Sequence, residues 1–472
     1  MTRRQVLRLA GFLGVGTLGT AALSGCVESG QGGVQASRSS SDKPPASPYV
    51  SISFSSTHHA GPRGAAMEWG LRRFAERRPD IYVEFEPDVN LVGRLLADTA
   101  PHVAHTPQGA FLSFLVEGAF VEVTDILEQM DVRKEDYYFL PDTHTDNGLD
   151  HSYPPPRQMR GPQFGMPFQF EISGFVANLS LAENAGVRFP DSEASWTWAD
   201  WTEWDAQMTE PDVGTYGTWA RQDYQYQYLP QMYSNGLKKP FDDGLTRTMF
   251  DEPQALEAWE YLINKIFVHQ TSPAPHQIRT ISGEYGEPFA AGKIGIWPSG
   301  RAFSTGYGDG VIRDRFTWTL LPAVVAERGG PPGHSASEVP NLITRSASRD
   351  GLEEPALALA VFFAGEEFQG RVGIERGHMP VHTRALEAPE SLAPPPHGMK
   401  WLKMYADRTD NRGPYPFGTW REWFIQHQRI GLSGWLGRQT PGESLRAVQD
   451  WGVRHLSEYD GPKPFVDSPV YP

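Results

Sequence analysis

Cysteine is almost missing: Cys26 is the only one in 472 residues, so no internal disulfide can form and a small disulfide-stapled module is excluded. Basic residues are in deficit. Lys plus Arg number 42 against 57 Asp plus Glu, a formal net charge of -15, and a surface of that sign repels phosphate backbones, which argues against nucleic acid as a partner. Beyond residue 26 no apolar run is long enough to cross a bilayer as a helix, and no internal repeat is visible. Catalytic signatures are equally scarce. There is no HExxH, and Gly333-His334-Ser335-Ala336-Ser337 departs from the GxSxG elbow. The pairs His58-His59 and His102 with His105 have no Cys or close carboxylate to complete a zinc set, so neither metal nor cofactor is expected. What the chain has in plenty is aromatic surface: 12 % of residues, with 14 Trp, inside a globular composition of 39 % apolar residues. Its length suits two or three domains or one large bilobal body.

The N-terminus reads as an address. Arg3, Arg4 and Arg8 precede a short Gly-rich apolar run, and Leu23-Ser24-Gly25-Cys26 follows. A basic start, a short apolar stretch and small residues before a cleavage point predict a signal peptide over 1–25. The paired arginines resemble a twin-arginine export signal, and the Leu-Ser-Gly-Cys segment resembles a bacterial lipobox with Cys26 as the lipidated residue. Gly14-Val15-Gly16-Thr17-Leu18-Gly19 fits GxGxxG, but no strand precedes it and it lies in the leader, so it carries no dinucleotide reading. Residues 26–47 continue as a tether rich in Ser, Gly and Pro.

Downstream, apolar periodicity alternates between the strand and helix patterns. Val50 to Phe54 and Ile81 to Phe85 predict strands around a helix over Gly64 to Arg77. Phe111 to Val116 and Val123 to Glu128 predict helices, Gly174 to Asn178 a strand, and Pro253 to Val268 an amphipathic helix capped by Asp251. Lys293 to Trp297 and Phe316 to Leu320 predict strands, and Glu353 to Phe363 a helix. Such alternation means an α/β protein.

Six segments, in order, carry a resemblance: Phe74 to Glu84, Phe114 to Thr124, Phe164-Gly165-Met166-Pro167-Phe168, Ser195 to Trp201, Pro288 to Trp297, and Met379-Pro380-Val381. Taken together after a lipobox, they make the chain resemble the extracellular solute-binding proteins of family 1, the receptors of carbohydrate-importing ABC transporters. The resemblance implies an α/β, two-lobed, periplasmic-binding-protein-like fold with a ligand cleft between lobes joined by several crossing segments. It implies lobe one over 48–167 and 336–378, lobe two over 168–335 and 379–472, and a hinge crossing at Pro167-Phe168-Gln169. The expected activity is binding, not catalysis: capture of a carbohydrate or polyol by a monomer tethered outside the cell membrane, which delivers it to permease subunits.

A sugar offers hydroxyls and an apolar C–H face, so its site needs flat aromatics together with carboxylates, amides or guanidinium groups. By resemblance Glu171 falls where relatives place a cleft carboxylate, with Gln169 beside it on the crossing. Trp420 matches a region where relatives place a stacking aromatic, although its helical spacing with Trp423 also suits a core face. Trp219 and Tyr224 lie in a segment, Thr218 to Tyr226, too polar for a core strand. Trp297 precedes Pro298-Ser299-Gly300-Arg301, where Arg301 stands at the relatives' usual aromatic position and suggests hydrogen bonding or an anionic ligand group. Gln108, His58, His59 and Glu338 are expected in loops at the rim. Trp198, Trp201 and Trp204 recur every third residue, as on a packed helix face, and His102 is expected to be structural. The rival class is an exported carbohydrate-active hydrolase, which needs two carboxylates about 5 to 9.5 Å apart; no local motif supports it.

Overall fold

In the computed structural model, the described residues are 49–87, 89–106, 114–115, 117–138, 162–190, 196–242, 245–285, 287–299, 315–394, 396–406 and 419–459. The leader, Cys26 and the tether lie outside them, as do Gln108, Arg301 and part of the helix expected over 111–116.

Two sheets organise the chain. The first has the order β2-β1-β3-β9-β4, built from β1 (Val50–Ser56), β2 (Ile81–Pro87), β3 (Val103–His105), β4 (Gly165–Ile172) and β9 (Ala336–Ile343). Strands β1, β2 and β3 run parallel, while β9 runs antiparallel to both β3 and β4. Helix α1 (Gly61–Arg77) is the crossover between β1 and β2, and it buries Ala66, Met67, Leu71 and Phe74 on one face. The second sheet has the order β6-β7-β5-β8, from β5 (Gly174–Asn178), β6 (Tyr216–Thr218), β7 (Ile294–Ser299) and β8 (Trp318–Leu321). Burial of β5 and β7 on both faces explains why they read as near-continuous apolar runs.

Helix α2 (Trp198–Gln207) starts at a capping box: Thr197 accepts from the N–H of Asp200, whose carboxylate accepts from the N–H of Thr197. Trp201 is fully buried there, and Trp198 stacks on Tyr261 at 4.3 Å, in keeping with a packed face. Helix α3 (Pro253–Phe267) forms as the periodicity predicts, but its N-cap position is Glu252, which makes no side-chain cap bond, and Asp251 pairs with Arg247 at 2.9 Å. Helices α4 (Glu353–Ala364) and α5 (Glu366–Glu375) cover the first sheet, with Phe363 and Phe368 against Phe54 and Phe168. Helices α6 (Trp420–Trp435) and α7 (Pro441–Glu458) pack on α3 around Trp259, Trp423 and Trp435. His102 is structural: its Nδ1 accepts the Ser53 N–H at 2.9 Å and its Nε2 lies 3.1 Å from Asp350.

The sheets meet where β4 leaves the first and becomes β5 of the second, with one residue, Ser173, between them. Its N–H donates to the Ser335 carbonyl at 2.7 Å, and the Ser335 N–H donates to Ser173 Oγ at 2.6 Å. A third segment runs alongside, where the Phe170 N–H donates to the Met379 carbonyl and the Tyr138 N–H to the Val381 carbonyl. Three passages of chain between sheets, bonded side by side, make a narrow join about which two bodies can move with few φ/ψ changes.

Candidate ligand site at the join of the two sheets

The site is built from strand ends beside this join. On the second sheet, β6 and β7 run parallel; Trp219 directly follows β6 and Trp297 lies in the second half of β7. The Trp219 N–H donates to the Ile296 carbonyl, and the two indoles lie 5.5 Å apart, centroid to centroid. The loop that follows is fixed by a buried amide: Gln227 Nε2 donates to the carbonyls of Trp219 (3.2 Å) and Pro298 (3.3 Å), while its Oε1 accepts from the N–H of Arg221 (2.9 Å). Arg221 then lies over the indoles, its guanidinium carbon 4.8 Å from the Trp219 ring and 6.0 Å from the Trp297 ring. Its Nη2 donates to Asp223 at 2.9 Å, and the other oxygen of Asp223 accepts from the N–H of Tyr226. Ser335 Oγ donates to the Gln225 carbonyl at 2.6 Å, which ties this loop to the crossing and so places it at the edge of the second sheet that faces the first.

On the first sheet, the ends of β1 and β3 bring Ser56 and His105 together, Oγ to Nδ1 at 2.9 Å, and the His58 N–H donates to the same hydroxyl. The rings of His58, His105 and His378 surround Phe168 at 5.3, 4.8 and 4.9 Å. Burial holds all three imidazoles neutral. The His105 pKa falls to about 3, first through desolvation and then through the Arg63 charge, and those of His58 and His378 fall well below the ordinary value for the same leading causes. Hydrogen bonding to Gln169 opposes the shift at His58. Asn341, opposite His105 in the β3–β9 register, is fully buried, and neither polar atom of its side chain has a partner. Among the described residues no group of three or more His, Cys, Asp or Glu could hold a metal ion.

The structure divides the expected site residues. Trp219 and Trp297 stand together, at 7 % and 4 % exposure, in an apolar cluster that includes Phe170 and Ile172 of the crossing strand, and Gln169 and His58 are buried on the first sheet. Glu171 and Glu338 both lie on the β4–β9 ladder, at adjacent pairing positions, but their side chains are outside the described residues. Trp420 and Tyr224 pack against each other, 5.7 Å apart. Trp420 is 3 % exposed and stacks on Trp423 at 5.0 Å; Tyr224 is fully buried and contacts Trp423 at 5.1 Å and His427 at 4.8 Å. Both belong to the aromatic core under α6, which is the packing alternative that the helical spacing left open. The sequence reading passed over Arg221, Gln227, His105 and His378 as ligand-site material. Arg221 was in view inside the polar Thr218–Tyr226 segment, and His378 directly precedes Met379-Pro380-Val381; nothing local marked Gln227.

Two sheets bearing helices, joined by adjacent crossings, with an aromatic and polar wall beside the join, define a two-lobed α/β binding protein of the periplasmic type. Residues 59–367, more than half of the chain, match the family model of the bacterial extracellular solute-binding proteins, and the chain belongs to that family. Solved structures share its fold at low identity. The ABC substrate-binding protein Lmo0181 from Listeria monocytogenes, in complex with cycloalternan, is 18 % identical with a TM-score of 0.71, covering 86 % of this chain and 99 % of that one. The GacH receptor of Streptomyces glaucescens, solved unliganded and with acarbose, is 17 % identical with a TM-score of 0.66, covering 87 % and 100 %. UgpB from Mycobacterium tuberculosis, in complex with glycerophosphocholine, is 17 % identical with a TM-score of 0.67, covering 86 % and 98 %. No curated protein sequence matches the chain.

Proposed function

We propose that this chain is the extracytoplasmic substrate-binding component of an ABC importer, which captures a carbohydrate or related polyol by closing its two lobes. The observation that carries the reading is the paired Trp219 and Trp297 indoles at the join, 5.5 Å apart and bordered by amide and guanidinium groups. Flat rings meet the C–H face of a sugar and the polar groups meet its hydroxyls. Support comes from the fold shared with proteins solved in complex with cycloalternan, with acarbose and with α-D-tagatose. The lobes divide as the resemblance implies, 48–167 with 336–378 against 168–335 with 379–472, except that β4 stays with lobe one as far as Ile172. Gln169, Glu171 and Glu338 on the crossing strands, His58, Gln108 and Arg301 complete the contact set.

The binding is non-catalytic. A monomer, exported through its twin-arginine leader and held to the outer face of the membrane by lipidated Cys26, hands its ligand intact to permease subunits. A Cys26→Ser variant then leaves the membrane fraction, and finding it still there would remove the anchor. For the function itself, the test is a thermal-shift screen of the full chain against mono-, di- and oligosaccharides and polyols. Ligand at 100 times its dissociation constant adds about 2.7 kcal/mol, a shift that is easily seen. Absence of any shift would overturn the carbohydrate reading.

A further inference from the structure

The wall described above offers hydrogen-bond donors in excess. Arg221 Nε is buried without an acceptor, while its Nη2 donates to Asp223. Trp297 Nε1 is likewise buried with no acceptor, on a side chain only 4 % exposed. Neither group can accept a hydrogen bond in return, and a buried N–H without a partner is costly. Such donors are satisfied by a group that only accepts. A carboxylate or phosphate oxygen does so, and its charge shortens and strengthens the bond to a guanidinium.

Asp223 is itself committed, to Arg221 and to the Tyr226 N–H, and is not presented as a free anion against the ligand.

We infer that Arg221 is a specificity-determining residue, and that the ligand taken between the lobes is an acidic sugar or polyol whose carboxylate or phosphate oxygen bonds to Arg221 Nε and Trp297 Nε1. This rests on the carbohydrate-receptor reading and narrows it. Free sugar acids and sugar phosphates share the acceptor chemistry, and the test separates them.

The experiment is isothermal titration of the full chain with matched sets: glucose, glucuronate and glucose 6-phosphate, and galactose with galacturonate and galactose 6-phosphate. At least one acidic member is expected to bind about tenfold or more tighter than its neutral partner, the scale of a charge-assisted hydrogen bond. The preference should shrink as salt is raised. Arg221→Gln is expected to abolish the preference, weakening the acidic member far more than its neutral partner. Trp297→Phe, which removes the donor, should reduce the preference by weakening the acidic member more than its neutral partner, alongside the stability cost of a smaller ring in a buried position. Neutral sugars bound as tightly as acidic ones, with Arg221→Gln weakening both equally, would overturn the inference and leave the carbohydrate receptor intact. No binding by any member, neutral or acidic, would count against both.

Discussion

His58, His105 and His378 face one another and Phe168, with Arg63 as the charged neighbour that bears on all three and Gln169 as the bonding partner of His58. Each has a folded pKa below its unfolded value near 6.5, so between the two the unfolded chain binds protons that the folded chain does not. Their stabilising contribution is therefore complete above about pH 6.5 and is lost as pH falls, at up to about 1.4 kcal/mol per pH unit for each histidine. For His105 the window extends down to about 3. Replacing His105 with Gln should flatten the fall of melting temperature between about pH 6.5 and 4. His427, shifted the same way by burial, remains as a background slope in both proteins. An unchanged slope in the variant would contradict the assignment.

The aromatics separate at the same scale. Trp219→Ala is expected to weaken sugar binding about tenfold, as the loss of a stacking surface does, whereas Trp420→Ala should leave sugar binding intact. Both indoles are buried in apolar clusters, so each variant should also destabilise the fold by about 3 to 5 kcal/mol. Binding calorimetry distinguishes the two, and the reverse pattern would exchange their assignments. No property of the residue alone forecast this split: Trp219 and Trp420 have the same chemistry, and only the path of the chain decides which one meets the join.

At the scale of elements, the sequence was most informative where a pattern is local. The β1–α1–β2 unit follows from alternation and helical spacing, and α2 from its Trp period. Local signals failed at the cap of α3, where the N-cap position is Glu252 rather than Asp251, and where a partner is distant: the fully buried Lys265–Asp205 pair, 2.6 Å apart, joins α3 to α2 across 60 positions. The Lys265 ammonium also lies 4.2 Å from the Trp201 ring centroid. Lys265→Met leaves the Asp205 carboxylate buried and unpaired, and should cost about 3 to 5 kcal/mol in denaturant unfolding. The double variant Lys265→Met, Asp205→Leu should recover much of that loss; failure to recover any would mean that the pair contributes through packing rather than charge.

At the scale of the molecule, the two-lobed class was legible because six segments kept a family's order even though each alone is weak. The join itself was less legible. The expected crossing at Pro167-Phe168-Gln169 lies inside β4, and the passage between sheets comes at Ser173, bonded to Ser335. Hydrogen bonds between segments 162 residues apart leave no local trace. The ligand wall is legible only in part for the same reason, since Trp297 comes from a stretch distant from the loop of Arg221 and Gln227 and becomes its neighbour only when β6 and β7 pair.

The central claim is reversible capture of a carbohydrate between lobes, and titration calorimetry of the full chain with recovery of the ligand tests it most directly. The account predicts saturable 1:1 binding of a sugar or polyol, acidic members included, weakened about tenfold by Trp219→Ala, with the ligand recovered chemically unchanged. A ligand recovered cleaved would contradict it in favour of a hydrolase, and a chain that binds no sugar of any charge would contradict it outright.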